Sequence, residues 1–165
     1  MTASALHIVK SAFLALFLLL AGLVPVKAEV EFTSEPLKIT TAKGKVHEFT
    51  VELALDNMQR QQGLMYRKQM DADRGMLFDF GRSRGVLMWM KNTYLPLDML
   101  FIDQKGVIRT IHQNAEPLSE AVIDSKVPVL YVLELNAGIA KKLGLKPGNK
   151  VQSARIDKNT AKPKP

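Results

Sequence analysis

The sequence predicts a mostly β (α+β) protein: a curled or barrel-like antiparallel sheet with two short helices. Three observations predict it. In "KVHEFTVELA" (45–54), Val46, Glu48, Thr50 and Glu52 alternate with His47, Phe49, Val51 and Leu53, the period of a half-buried strand. "LDMLFID" (97–103) and "VIRTIHQ" (107–113) flank a short "QKG" in hairpin spacing. Helical spacing is confined to two short stretches, so the strands must supply the architecture.

In chain order, "LKITTA" (37–42) and residues 45–54 form two strands around Gly44. Asp56 stands at an N-cap ahead of "NMQRQQGLMY", where Met58, Gln61, Gln62 and Met65 recur at helical spacing, so a short helix is expected to end near Gly63 to Tyr66. "DADRG" (71–75) is turn chemistry. "MLFDF" (76–80) and "VLMWMK" (86–91) around "GRSRG" predict one hairpin, and residues 97–103 with 107–113 predict another. After an irregular polar segment, "VPVLYVLEL" (127–135) is a strand, "AGIAKKLGL" (137–145) a short helix, and "KVQSARI" (150–156) the last strand.

The two ends are of a different kind. Met1 to Lys10 carries positive charge, Ala12 to Val24 is almost wholly apolar, and Val26-Lys27-Ala28 closes with the small residue that signal peptidase accepts. The apolar run of about thirteen residues is shorter than the roughly 20 that span a bilayer comfortably. Residues 1–28 are therefore expected to be a secretory signal peptide cleaved after Ala28, the alternative being an uncleaved N-terminal anchor. The absence of cysteine excludes a lipoprotein anchor, thiol nucleophiles, cysteine zinc sites and disulfides. Residues 157–165, "DKNTAKPKP", are expected to form a disordered basic tail, which leaves residues 29–156 as a single β-rich domain with room for a core.

The formal charge of +7 overstates how basic that domain is. Without the lysines at 10, 27, 158, 162 and 164 and without Asp157, 18 basic and 15 acidic side chains remain, a net of +3. No basic run with interleaved aromatics occurs, which argues against nucleic acid as a partner. The three tail lysines would attract an anionic membrane only weakly. No membrane span is expected once the signal is removed. The expected location is the periplasm or the medium, and the expected partner a small ligand or an envelope protein.

Five segments carry a family resemblance: Gly63-Leu64-Met65-Tyr66-Arg67, Gly75-Met76-Leu77-Phe78-Asp79-Phe80, Trp89-Met90-Lys91-Asn92-Thr93, Leu95-Pro96-Leu97-Asp98 and Val132-Leu133-Glu134-Leu135-Asn136-Ala137-Gly138. Together they resemble the domain-of-unknown-function family 192 of bacteria and archaea, over most of residues 40–155. The resemblance implies a compact, largely β domain, often secreted or membrane-tethered. It implies no activity, catalytic residue or cofactor.

The polar residues in apolar settings are the candidates for chemistry. On a strand at 97–103, Asp98 shares a face with Leu100 and Ile102, while Leu97, Met99 and Phe101 take the other. A carboxylate there must be satisfied, because an unpaired buried polar group costs roughly 1 to 3 kcal/mol. Asp98 is expected to bond loop N–H groups of Asn92 to Leu95, or to pair with Lys91 or Arg67; the competing reading makes it a ligand-facing group. Lys91, Asn92 and Thr93 end a strand before Pro96, where they are turn formers and also donors available to a ligand. Arg67 follows a helix, as an anion clamp or as a cation serving the helix dipole. Glu134 shares a face with Val132 and Leu130 and could pair with Lys91, Arg67 or His112, which would build a polar pocket in an apolar fold.

Enzyme readings reduce to one. No nucleophile elbow, zinc-protease helix motif or phosphate loop is present, and only His47 and His112 remain after signal removal. An envelope hydrolase would use His112 with Asp98 or Glu134 and would need them within hydrogen-bond reach. Met88 and Met90, two thioethers on one strand face beside Trp89, could with His112 bind Cu(I), although alternating methionine in a strand is ordinarily core filler. The reading that gathers most of the residues is a non-enzymatic binding module. Its candidate ligand site is Arg67, Lys91, Asn92, Thr93 and Asp98, with Glu134 and His112.

Overall fold

The computed structural model describes residues 30–160. The signal peptide expected at 1–28 and the tail from residue 161 onward lie outside the described residues. The fold class is as expected, a mostly β protein with a curled seven-stranded sheet, although one strand pair is parallel and three short helices occur among the described residues.

The first two strands, β1 (Thr33–Thr40) and β2 (Val46–Ala54), pair antiparallel with Leu37 opposite Phe49. Helix α1 (Asn57–Gln62) begins at the expected cap: Asp56 Oδ1 accepts the Gln59 N–H at 2.8 Å, and the Gln59 side chain accepts the Asp56 N–H in return. Gly63 ends it.

The hairpin expected over 76–91 does not form. Strand β3 (Arg74–Arg84) runs through the supposed turn at 81–85 and pairs parallel with β2 on one side. On its other side it pairs antiparallel with β8 (Val129–Asn136). Met76 to Asp79 are buried on both faces, so the apolar run belongs to an interior strand, whose parallel neighbour needs the crossover that α1 supplies. Strand β4 (Leu87–Met88) instead pairs with β7 (Ile123–Asp124) in a separate ribbon. The second hairpin is as expected, between β5 (Leu97–Ile102) and β6 (Ile108–Ala115).

Strand order in the large sheet is β6-β5-β8-β3-β2-β1-β9, with β9 at Lys150–Ser153. Its two edges meet at one end: Val107 bridges Lys150, Ile108 N–H donates to Asn149 O at 3.0 Å, and Val151 N–H donates to Gly106 O at 2.7 Å. Gly106 has φ +77, and a Cβ there would lie 2.4 Å from Val151 O, so closure at this point requires glycine.

Curling gives the sheet two apolar faces. Leu37, Ile39, Val51, Leu77, Leu100, Leu133 and Val151 fill one, closed by α2 (Ile139–Leu143) through Ala140 and by α3 (Ala154–Thr160) through Ile156. Met76, Phe78, Leu97, Met99, Phe101 and Val132 form the other, under Leu64, Val86, Met90, Leu95 and Ile123 from the connecting segments. This explains why all six residues of β5 are buried.

Helix α3 was not expected. The strand predicted over 150–156 stops at Ser153, and the chain turns into a helix through the first residues of the supposed tail. The helix is held from outside its own sequence: Asp79, 1% exposed, accepts Arg155 Nε at 2.6 Å and Asn159 Nδ2 at 3.2 Å, and Asn159 also donates to the Tyr131 hydroxyl at 2.9 Å. Burial pushes the Tyr131 hydroxyl up to about 12.

Candidate functional site

Residues paired across neighbouring strands project to the same face. Glu134 on β8 lies opposite Met99 on β5 and Met76 on β3; Met99 in turn lies opposite His112 on β6, and Met76 opposite Glu52 on β2 only through the neighbouring parallel register. Asp98 lies opposite Leu135 and joins the Leu100 face. Of the two strand carboxyls, each has a different environment.

Asp98 is fully buried and fully used. Its Oδ1 accepts the Asn114 N–H at 2.9 Å and its Oδ2 the Ala140 N–H at 2.8 Å. It thus ties β6 to the start of α2, whose own N-cap, Gly138, offers no side chain. The fastening role is as expected, but the partners are not Asn92 to Leu95, Lys91 or Arg67, because those lie on the other side of the sheet or are engaged elsewhere. Arg67 grips Glu52 with both terminal nitrogens, at 2.6 and 2.7 Å, and stacks on the Phe32 ring at 5.6 Å. The hydrogen bonds to Glu52 raise the guanidinium pKa further.

Glu134 is only 4% exposed and faces a cavity of about 510 Å³. Among the described residues its carboxyl has no hydrogen-bond or ion-pair partner, and burial alone pushes its pKa up to about 8. At neutral pH it is therefore mostly protonated.

The lining of the cavity is mixed: Leu64 and Met65 after α1, Phe78 and Phe80 on β3, and Met88 and Trp89 beyond it are apolar, while Asn57, Gln61 and Gln62 of α1 with Asn92 and Thr93 are polar. Its cations are Arg60, Arg84 and Lys91, all seated on aromatic faces: Arg60 and Arg84 over Phe80 at 5.9 and 5.1 Å, Lys91 over Trp89 at 5.6 Å. Arg60 also donates to the carbonyls of Leu55 and Asp79 and is structurally committed. Lys91 has only a long contact, 3.8 Å, to the exposed Glu120, and Arg84 has no carboxylate partner among the described residues. A volume in the small-molecule range, a lining of apolar and polar side chains and a perturbed carboxyl are among the ingredients of a ligand site.

The wall is built by two loops locked together. Tyr66 N–H donates to Asn92 O at 2.9 Å, and both residues have left-handed backbones, φ 65 and φ 55. For tyrosine that conformation costs on the order of 1 to 2 kcal/mol. Asn92 Nδ2 reaches Met65 Sδ at 3.9 Å, and the Thr93 hydroxyl donates to Lys91 O at 3.2 Å.

Of the expected cluster, the structure brings together Lys91, Asn92, Thr93 and Glu134. Arg67 and Asp98 do not line the cavity, and neither does His112, which is exposed on the edge strand β6. The hydrolase pairing of His112 with Asp98 fails because they project to opposite faces. With Glu134 it fails because the whole of β5 intervenes, two strand spacings or roughly 9 to 10 Å. The Cu(I) trio is not assembled: Met88 lines the cavity, Met90 is buried in the core and His112 is exposed. Sequence reasoning missed Arg84, Phe78, Phe80 and Met65; the aromatic alternation of "MLFDF" continuing to Arg84 was the available signal.

The DUF192 family, described as "Uncharacterized ACR", matches over residues 38–153. The chain belongs to this family. Every cavity-lining residue named above falls inside the matched segment of this DUF192 protein. Its fold is similar to the crystal structure of a Sinorhizobium meliloti 1021 protein provisionally named a transcription regulator. The identity is 62%, covering 77% of this chain and 98% of that one, with a TM-score of 0.75. It is also similar to a protein of unknown function from Novosphingobium aromaticivorans DSM 12444, at 34% identity over 79% of this chain and 91% of that one, with a TM-score of 0.69. Comparison with curated proteins returned no match.

Proposed function

We propose that this protein is a non-enzymatic binding module that holds a small amphipathic anion in the cavity above Glu134. The single observation that carries the reading is the composition of that cavity: the apolar side chains of Leu64, Met65, Phe78 and Met88 stand beside polar ones, with Arg84 and Lys91 held on aromatic rings rather than neutralised by close carboxylates. Cations arranged in this way keep their capacity for an incoming anion. The apolar wall gains by covering the ligand's body. The absence of a nucleophile–base pair at the cavity supports binding over turnover.

The N-terminal pattern supports an envelope location, periplasmic or secreted, for the module. Among the described residues no helix is long and apolar enough to cross a membrane. The provisional name of the Sinorhizobium relative would bring a nucleic-acid partner to this chain. The described helices, of 6, 5 and 7 residues, favour the small ligand, since groove-reading motifs present a longer recognition helix.

Trp89 is the only tryptophan and lines the cavity, so its fluorescence reports occupancy. Titration with hexanoate is expected to give a saturable change that Arg84→Ala and Lys91→Ala each weaken, while duplex DNA gives none. A saturable, strongly salt-dependent response to DNA with none to hexanoate would replace this reading by the other.

A further inference from the structure

The cavity has two polar ends, a carboxyl that an incoming ammonium would ionise and a guanidinium. Met76, opposite Glu134, is followed on the same face of β3 by Phe78 and Phe80, and the strand ends at Arg84. Met76 to Phe80 is four strand residues, about 13 Å. A carboxyl without a partner among the described residues therefore lies at one end of an aromatic floor, and Arg84, seated on Phe80, lies toward the other.

We propose that the ligand is a short apolar peptide lying extended along Phe78 and Phe80, its terminal ammonium on Glu134 and its terminal carboxylate on Arg84 and Lys91. This rests on the cavity being the binding site and names the chemistry that fills it. Three observations converge on this class. Glu134 is an acceptor whose desolvation nothing among the described residues offsets, and an ammonium supplies up to three donors to it. An anion alone would satisfy the cations and leave Glu134 unpaired; a cation alone would leave Arg84 and Lys91 idle. An extended tripeptide spans about 10 Å, which fits within the roughly 13 Å of that floor and a volume of about 510 Å³.

The other charged groups around Glu134 do not substitute for the ammonium. Its strand neighbours Met76 and Met99 are uncharged, and the nearby Arg67 is committed to Glu52. Arg60 is bonded to the Leu55 and Asp79 carbonyls, and His112 lies beyond Met99 on the exposed edge. Lys91 reaches Glu120, and Arg84 rests on Phe80.

Calorimetric titration of the protein with Leu-Gly-Leu, its N-acetyl form, its C-terminal amide and hexanoate tests the assignment. The free peptide is expected to bind, and blocking either end to weaken it by roughly tenfold or more, because the opposing buried group is left unpaired. The near-isosteric Glu134→Gln should abolish the penalty for N-acetylation while keeping the penalty for the amide, and Arg84→Ala should do the reverse. Equal affinity for free and N-acetyl peptide, or binding of hexanoate but of no peptide, would overturn the peptide assignment and leave the anion site standing. If neither hexanoate nor any peptide binds, the cavity reading itself falls.

Discussion

Asp98 and Glu134 sit on adjacent strands, one residue out of register, and therefore point to opposite faces of the same sheet. Asp98 accepts two backbone N–H groups, whereas Glu134 accepts none from the described residues and faces the cavity. The same side-chain chemistry thus serves assembly on one face and is left without a partner among the described residues on the other.

Asp98→Ala removes two charge-assisted hydrogen bonds and orphans the buried Ala140 N–H. The expected loss is about 2 to 4 kcal/mol in urea unfolding. Ligand affinity measured well below the unfolding midpoint should be unchanged, because Asp98 does not line the cavity.

The carboxyl of Glu134 is pushed up to about 8 by burial, against an ordinary value of 4.5. The folded state therefore binds more protons than the unfolded state between those values, and stability must fall as pH rises from about 4.5 to 8. The size of this contribution is up to roughly 5 kcal/mol at 1.36 kcal/mol per pH unit. Glu134→Gln should flatten that part of the profile and make the protein more stable than the wild type at pH 8 or above. Urea midpoints measured from pH 5 to 9 for both proteins check it; identical slopes would count against an unpaired Glu134.

Helix α3 is expected to contribute through Asp79. Arg155→Ala leaves a buried carboxylate with only Asn159 and the Gly81 N–H, and should cost about 3 kcal/mol. Arg155→Lys should recover only part, since the Nε–H donor at 2.6 Å is lost. Thermal unfolding of the two variants ranks them.

Closure of the sheet rests on Gly106. Gly106→Ala places a Cβ against Val151 O at a left-handed backbone, and is expected to cost about 1 to 3 kcal/mol. Faster hydrogen exchange at the Val151 and Ile108 amides, with the Leu133 amide still protected, would localise the damage to the seam.

Alternation in 45–54, β-rich runs at 37–42 and 127–135 and the hairpin spacing about 104–106 were enough to read β1, β2, β5, β6 and β8, and Asp56 marked the start of α1, because each depends on neighbours in sequence. What was misread depends on distant partners. Met76 to Asp79 looks like half a hairpin until β2 and β8 flank it, and "ARIDKNT" has a weak helical signal until Asp79 holds Arg155 and Asn159. The site was legible in the same measure. Lys91-Asn92-Thr93 and Glu134 stood out as polar residues in apolar runs, and they do meet at the cavity. Arg67 and Asp98 stood out equally, but Glu52 and the Ala140 and Asn114 amides occupy them, pairings of which no spacing gives notice.

The central claim is that the cavity above Glu134 holds a small amphipathic ligand, and amide chemical-shift mapping on titration with hexanoate tests it most directly. The account predicts saturable shifts concentrated at Leu64, Met65, Asn92 and Thr93 and at the Trp89 indole, with His112 and Asn114 unmoved. Saturation without shifts at those residues, or no response at all, would contradict it.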